Sequence, residues 1–188
     1  MHETLAILIG IGLSATCGFR IFVPLLGMSI ANHYGFLPLS TGFEWVGSQP
    51  AMIALAVATL LEIGAYSIPW LDNLLDTIAT PGAVIAGTIA TASVVGGDIS
   101  PFVKWSLAVI AGGGVAGIIQ GSSALVRGTS TAATGGVANP VVSILELLAA
   151  VMGTFLSIAL PVIAVILVGI ILFFIFRRVH RLRIRQSA

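Results

Sequence analysis

Four ionisable residues stand in or at the ends of long apolar runs of this chain: Arg20, Glu62, Arg127 and Glu146. A charge at the centre of a membrane span costs about 2.5–3.5 kcal/mol on insertion scales, so such residues pair with one another or face water. Two Arg–Glu pairs across helices are expected, Arg20 with Glu62 and Arg127 with Glu146. Such pairs can simply lock a bundle, and Arg127 could instead snorkel to the headgroups. Glu62, nearest the middle of its run, is the stronger functional candidate. A second acidic group lies in SIPWLDNLLDTIATPG, residues 67–82. There Asp72 and Asp76 are at i, i+4, so on a helix their carboxylates share one face and repel. A cation or basic partner would relieve that, whereas a solvated interfacial helix needs neither. Ser130, Thr131 and Asn139 follow Arg127 in a Gly/Ser/Thr-rich stretch. Interrupted backbone at membrane depth is tolerated only where it lines a cavity or is buried in protein. These three residues therefore join Arg20, Glu62, Asp72, Asp76, Arg127 and Glu146 as the candidate substrate- or ion-binding set.

The remaining chemistry is sparse. There is no GxSxG, HExxH or Walker pattern, and His2, His33 and His180 are isolated from one another. Asp72 and Asp76 lie on one helix, not on the facing helices that an aspartyl dyad needs. The single cysteine, Cys17, excludes an intrachain disulfide and a cysteine metal site. The expectation is a protein that is not an enzyme, with no cofactor and no metal. A lipid-modifying enzyme holding Mg²⁺ or Ca²⁺ through Asp72, Asp76 and Glu62 is a minor alternative.

The elements that must position these residues follow from composition. The 188 residues are 57% hydrophobic and 8% charged, with a mean hydropathy of +1.12. Soluble domains carry about 25% charged residues. The chain reads as an all-α integral membrane protein. A span needs about twenty apolar residues, and candidates lie at 5–26, 51–68, 77–95, 102–126 and 141–176. The last is too long for one crossing and is split at Pro161, which gives about six transmembrane helices. Arg127 is expected to end the fourth, residues 128–136 to form a break, and Asn139-Pro140 to restart the chain. Asp98 is read as a turn or cap residue before the fourth span.

Five arginines follow the last span, at 177, 178, 181, 183 and 185. Basic residues stay in the cytoplasm, so the C-terminus is expected there, and with six spans the N-terminus as well, in a cell (inner) membrane. Trp45, Trp70 and Trp105 fall at span ends, as an aromatic belt requires. The tail has no aromatic or folded context for nucleic acid, so its expected partner is the lipid bilayer.

An offset of 107 residues, the separation of Arg20 and Arg127, superimposes Ala6, Gly10, Ser14, Thr16 and Arg20 on Gly113, Gly117, Gly121, Ser123 and Arg127. Under six spans the two segments would run in opposite directions. The expected organisation is one transmembrane domain of two inverted three-helix repeats, residues 1–100 and 101–176, with a basic tail at 177–188. Inverted repeats are a transporter pattern. The stripes Gly10, Ser14, Gly18 and Gly113, Gly117, Gly121 let helix backbones approach closely. Their expected job is packing, within the chain or between copies.

The segments SATCGFRIFVPLLG, LEIGAYSIPWLDNLLDTIATPG and GSSALVRGTSTAATGGVANPVVSILE resemble the membrane family filed as domain of unknown function 4126. The resemblance covers nearly the whole chain. The family pattern has an Asp-Lys pair before Ile68-Pro69, where this chain has Tyr66 and Ser67, and a basic residue where it has Thr80. The resemblance implies an architecture and no activity. From the residues, the favoured function is a small multi-pass transporter or channel for an ion or metabolite, with an anion or zwitterion preferred. The alternative is a non-transporting scaffold that self-associates through the glycine stripes.

Overall fold

Glycine, alanine and serine on helix faces allow close backbone approach, and a computed structural model shows the bundle that results. It describes the backbone of residues 3–66, 68–97 and 99–186, with side chains except at 69–74, 76 and 179–186. All regular structure among the described residues is helical. Helices α1 (Glu3–Cys17) and α2 (Phe22–His33) are followed by a 3₁₀ turn (Glu44–Gly47), α3 (Gln49–Ala65) and α4 (Pro69–Val94). Helix α5 (Pro101–Leu107) passes through a π-helical segment (Ala108–Gly113) into α6 (Gly114–Thr134); α7 (Asn139–Ala159) and α8 (Pro161–Gln186) complete the chain. Four segments are long and apolar enough to cross a membrane, Thr77–Val94, Pro101–Thr134, Asn139–Ala159 and Pro161–Arg178, and α1 and α3 are shorter apolar helices.

The expected first span is in fact a hairpin. The chain leaves α1 at Gly18, turns through Phe19 and Arg20, and re-enters helix at Phe22. Pro24 sits in the first turn of α2, where its missing N–H costs nothing. Helix α7 reports the reversal. Gly12 and Thr16 of α1 face Ser157 and Gly153, Arg20 reaches Ser143, and Gly27 of α2 is back beside Thr154. Helix α3 then runs antiparallel to α2, with Gly47 against Asn32 and Glu62 against Phe22.

Helix directions correct two expectations. Helix α1 is antiparallel to α4, since Gly10 faces Thr91 and Val94 while Ile21 meets Gly82. The π segment and α6 are also antiparallel to α4, through Gly112 with Thr91, Gly113 with Thr88 and Gly117 with Val84. So α1 and α6 run the same way, and the two segments matched by the 107-residue offset are not inverted. Helix α8 is parallel to α1 as well, with Gly12 near Ala164 and Ala15 packed with Val168. The start of α1 and the Arg177–Arg178 end of α8 therefore lie at opposite ends of the bundle. Termini on a shared side required an even number of traverses, and the extra hairpin removes that parity.

Packing glycines line the contacts of α1 and α4 with the π segment and α6. A Cβ on Gly18 would lie 2.6 Å from the Ile119 side chain and 2.7 Å from the Ala116 carbonyl; one on Gly113 would lie 2.6 Å from Thr88 Oγ1. Gly10 is similarly close to α4 and Gly117 to Val84, and the Ser14 hydroxyl donates to the Gly112 carbonyl. Gly121 is the exception, with open space around it. Gly87 and Gly112, absent from the two sequence stripes, complete the contact.

Of three expected boundaries, one holds and two differ. The break at Pro161 stands, because Leu160 leaves the helical region (φ −138°, ψ 62°). The break after Arg127 does not: α6 continues to Thr134 and ends at Gly135 (φ +65°). Its hydroxyls bond its own backbone, Thr134 Oγ1 donating to the Ser130 carbonyl at 2.8 Å and Thr129 to that of Leu125. Helix α4 begins at Pro69, well before Pro81, which lies inside it. Ser100 caps α5, its hydroxyl accepting from the Val103 amide at 3.4 Å; Asp98 lies outside the described residues.

Candidate functional site

The sequence places buried polar side chains along one face of each helix that builds the site. On α7 the buried positions include Asn139, Ser143, Glu146, Ala150, Thr154 and Ser157, a helical spacing that keeps carboxylate and hydroxyls on one line. On α6 the corresponding face is Ala116, Ile119, Gln120, Ser123 and Arg127. The turn between α1 and α2 adds Arg20, the C-terminal part of α3 adds Glu62, and the residue just past its end adds Tyr66.

These groups converge. Arg20 and Arg127 are each 1% exposed, and Glu146 is 6% exposed. Arg127 Nε donates to Glu146 Oε1 at 3.1 Å, and its Nη2 forms an ion pair with Oε2. The Ser123 hydroxyl donates to the same Oε1. Arg20 Nη2 lies 3.9 Å from Glu146 Oε2 and donates to the Ser143 carbonyl at 2.9 Å and hydroxyl at 2.6 Å. Both guanidiniums lie over the Tyr66 ring, at 4.0 Å for Arg20 and 4.1 Å for Arg127. Cation–π contacts of this kind strengthen as water is excluded.

Glu62 plays a different part from the one expected. Its Oε1 accepts from the Ile21 amide at 2.7 Å and its Oε2 from the Phe22 amide at 3.1 Å. A carboxylate from α3 thus caps the start of α2, satisfying two donors that a helix N-terminus leaves open. The expected Arg127–Glu146 pair is present. Arg20 instead comes within ion-pair distance of Glu146, because Glu62 is engaged by the backbone of the hairpin turn. One turn beyond Arg127, Asn139 Nδ2 donates to Thr131 Oγ1 at 2.9 Å, and Ser130 is half-buried. Asp72 and Asp76 fall on the first turns of α4, and their side chains lie outside the described ones. Among the described residues no three His, Cys, Asp or Glu side chains are grouped as for a metal ion.

The depth of the cluster also departs from expectation. Glu146 and Ser123 share a cavity of about 170 Å³ with Ile171 and Ile175 of α8, within two turns of Arg177. Arg20 and Arg127 are therefore at one end of the bundle, and Glu62 lies beside them, away from mid-bundle. Tyr66, Ser123 and Ser143 were missed as site residues. The i, i+4, i+7 polar spacing of Asn139, Ser143 and Glu146 was the available signal for Ser143; nothing local marks Tyr66, whose role depends on where α3 stops.

Four membrane-length apolar helices around a buried arginine–glutamate cluster define a helical membrane protein. The chain belongs to the family described as a domain of unknown function (DUF4126), whose model matches residues 7–181. No curated protein and no solved structure matches it.

Proposed function

We propose that the chain is a small multi-pass membrane transporter or channel whose solute, a small anion or zwitterion, engages the guanidiniums of Arg20 and Arg127. The observation that carries this reading is the meeting of both buried arginines at Tyr66 and Glu146, beside a helix break. Transporters build solute sites at helix breaks; here the break between α1 and α2 and its arginines lie toward one end of the bundle. Glu146 occupies the position that a solute carboxylate or phosphate would take against Arg127, and Glu62 holds the hairpin turn in place. Ser130, Thr131 and Asn139 form the polar approach from the end of α6, where Asp72 and Asp76 of α4 are the further acidic candidates. With the arginine end of α8 in the cytoplasm, the cluster lies toward that side and the start of α1 toward the other. The purified protein is expected to be stabilised against heat by at least one member of a panel of inorganic anions, carboxylates and amino acids. That stabilisation is expected to disappear in Arg127→Gln. No stabilisation by any member would overturn the reading.

A scaffold is the second reading; Gly10, Gly18, Gly113 and Gly117 are packed within the chain, so self-association through the stripes would rest on the open position at Gly121. It predicts that Gly117→Leu abolishes function while Glu62→Gln leaves it intact; the transport reading predicts loss in both.

A further inference from the structure

The other end of the bundle carries a separate polar cleft of about 530 Å³ between the start of α1, residues 38–41, the end of α4 and the start of α5. Lys104, Glu3, Ser40, Thr41, Gly97 and Trp105 are among the residues that line it. Its volume falls within the range of about 300–1,000 Å³ typical of small-molecule sites. Lys104 Nζ donates to Ser40 Oγ at 2.8 Å, and that hydroxyl donates onward to the Ala92 carbonyl at 3.0 Å. The ammonium also lies 5.2 Å from the Phe43 ring. An ammonium has three donors, and the serine takes one. Across the cleft the Glu3 carboxylate lies against Gly97, where a Cβ would be 3.1 Å from Oε1. Among the described residues neither Lys104 nor Glu3 has a partner of opposite charge within ion-pair distance. Among the described residues, one cleft thus holds a cation and an anion that have no charged partner.

We propose that this cleft binds a small zwitterion, its phosphate or carboxylate at the Lys104 ammonium, which Ser40 holds in place, and its ammonium at Glu3. The complementarity is one of sign: a ligand carrying both charges satisfies both walls, whereas an anion alone leaves Glu3 unpaired. The Trp105 wall supplies apolar surface at the end of the bundle where Trp45 also lies. The same chemistry is presented by a free compound such as phosphoethanolamine and by the headgroup of phosphatidylethanolamine. The inference does not depend on the transport reading, because the cleft and the arginine cluster lie at opposite ends of the bundle.

The test uses full-length protein in phosphatidylglycerol nanodiscs, with thermal unfolding followed as O-phosphoethanolamine or inorganic phosphate is added. Saturable stabilisation by O-phosphoethanolamine is expected, with inorganic phosphate about tenfold weaker, and Lys104→Gln is expected to weaken phosphoethanolamine about tenfold. Lys104 also supports Ser40, so a second variant is chosen at an exposed site. Glu3→Gln should bring phosphoethanolamine down to the affinity of inorganic phosphate and leave phosphate itself unchanged. A free-compound ligand stabilises in nanodiscs with or without phosphatidylethanolamine. A headgroup ligand makes nanodiscs containing phosphatidylethanolamine stabilising by themselves and removes the effect of added compound. Either pattern, if lost in the two variants, supports the site. No stabilisation from either source, or one that persists undiminished in Glu3→Gln, would overturn it.

Discussion

Arg20 and Arg127 share two partners: both guanidiniums lie about 4 Å from the centre of the Tyr66 ring, and both reach the Glu146 carboxylate. They meet because α1 and α6 run in the same direction against α4, so both arginines arrive at one end of the bundle. The arrangement makes Glu146 the anion of two cations, and Tyr66 the surface against which both are held.

Removing Glu146 should therefore leave two buried cations without their shared carboxylate. Glu146→Ala is expected to destabilise by about 3–5 kcal/mol, the cost of breaking a buried pair from one side. Glu146→Gln, which keeps an acceptor for Ser123, should cost less. Thermal or denaturant unfolding in detergent measures both, and an unchanged Glu146→Ala midpoint would contradict the assignment.

Tyr66 is expected to be worth more than its area. Two desolvated cation–π contacts at about 0.5–2 kcal/mol each predict a loss of about 1–4 kcal/mol in Tyr66→Leu. A Tyr66→Leu protein as stable as wild type would show that the ring only fills space.

Glycine substitutions separate packed from open positions. Gly18→Ala puts a methyl group 2.6–2.8 Å from Ile119 and the Ala116 carbonyl, and overpacking of this kind costs about 1–3 kcal/mol. Gly121→Ala meets nothing within 4 Å and should stay within about 0.5 kcal/mol of wild type. Equal effects at the two positions would contradict the packing described.

Much of this site was legible in sequence, and its assembly was not. Arg20, Glu62, Arg127 and Glu146 stand out because a charge in an apolar run demands a partner, and the Arg127–Glu146 pair follows from proximity in the chain. The hairpin was hidden because residues 5–26 have the length and hydropathy of one span; Pro24, a residue suited to a first helical turn, was the clue to a second helix. Once α2 is separate, Ile21 and Phe22 need acceptors and Glu62 supplies them, which leaves Arg20 to Glu146. The Ser/Thr run after Arg127 looks like a loop by composition. Two of its hydroxyls, those of Thr129 and Thr134, donate to carbonyls four residues back, and the helix continues through them. Gly121 shows the limit of stripe counting, since spacing alone does not say which side of a helix meets a neighbour.

The hairpin has a topological consequence. With α1 and α8 parallel, tags on the N- and C-termini should lie on opposite faces of a sealed vesicle. Protease protection of both tags from the same side would contradict this arrangement.

Flux through the reconstituted protein is the most direct measurement of whether the arginine cluster is a solute site. Proteoliposomes containing the wild type are expected to take up a small anion or zwitterion faster than empty vesicles. Arg127→Gln and Glu62→Gln, if folded, are expected to lose that uptake, while Gly121→Ala retains it. Uptake equal to that of empty vesicles across the solute panel, or uptake unchanged by loss of Arg127, would contradict it.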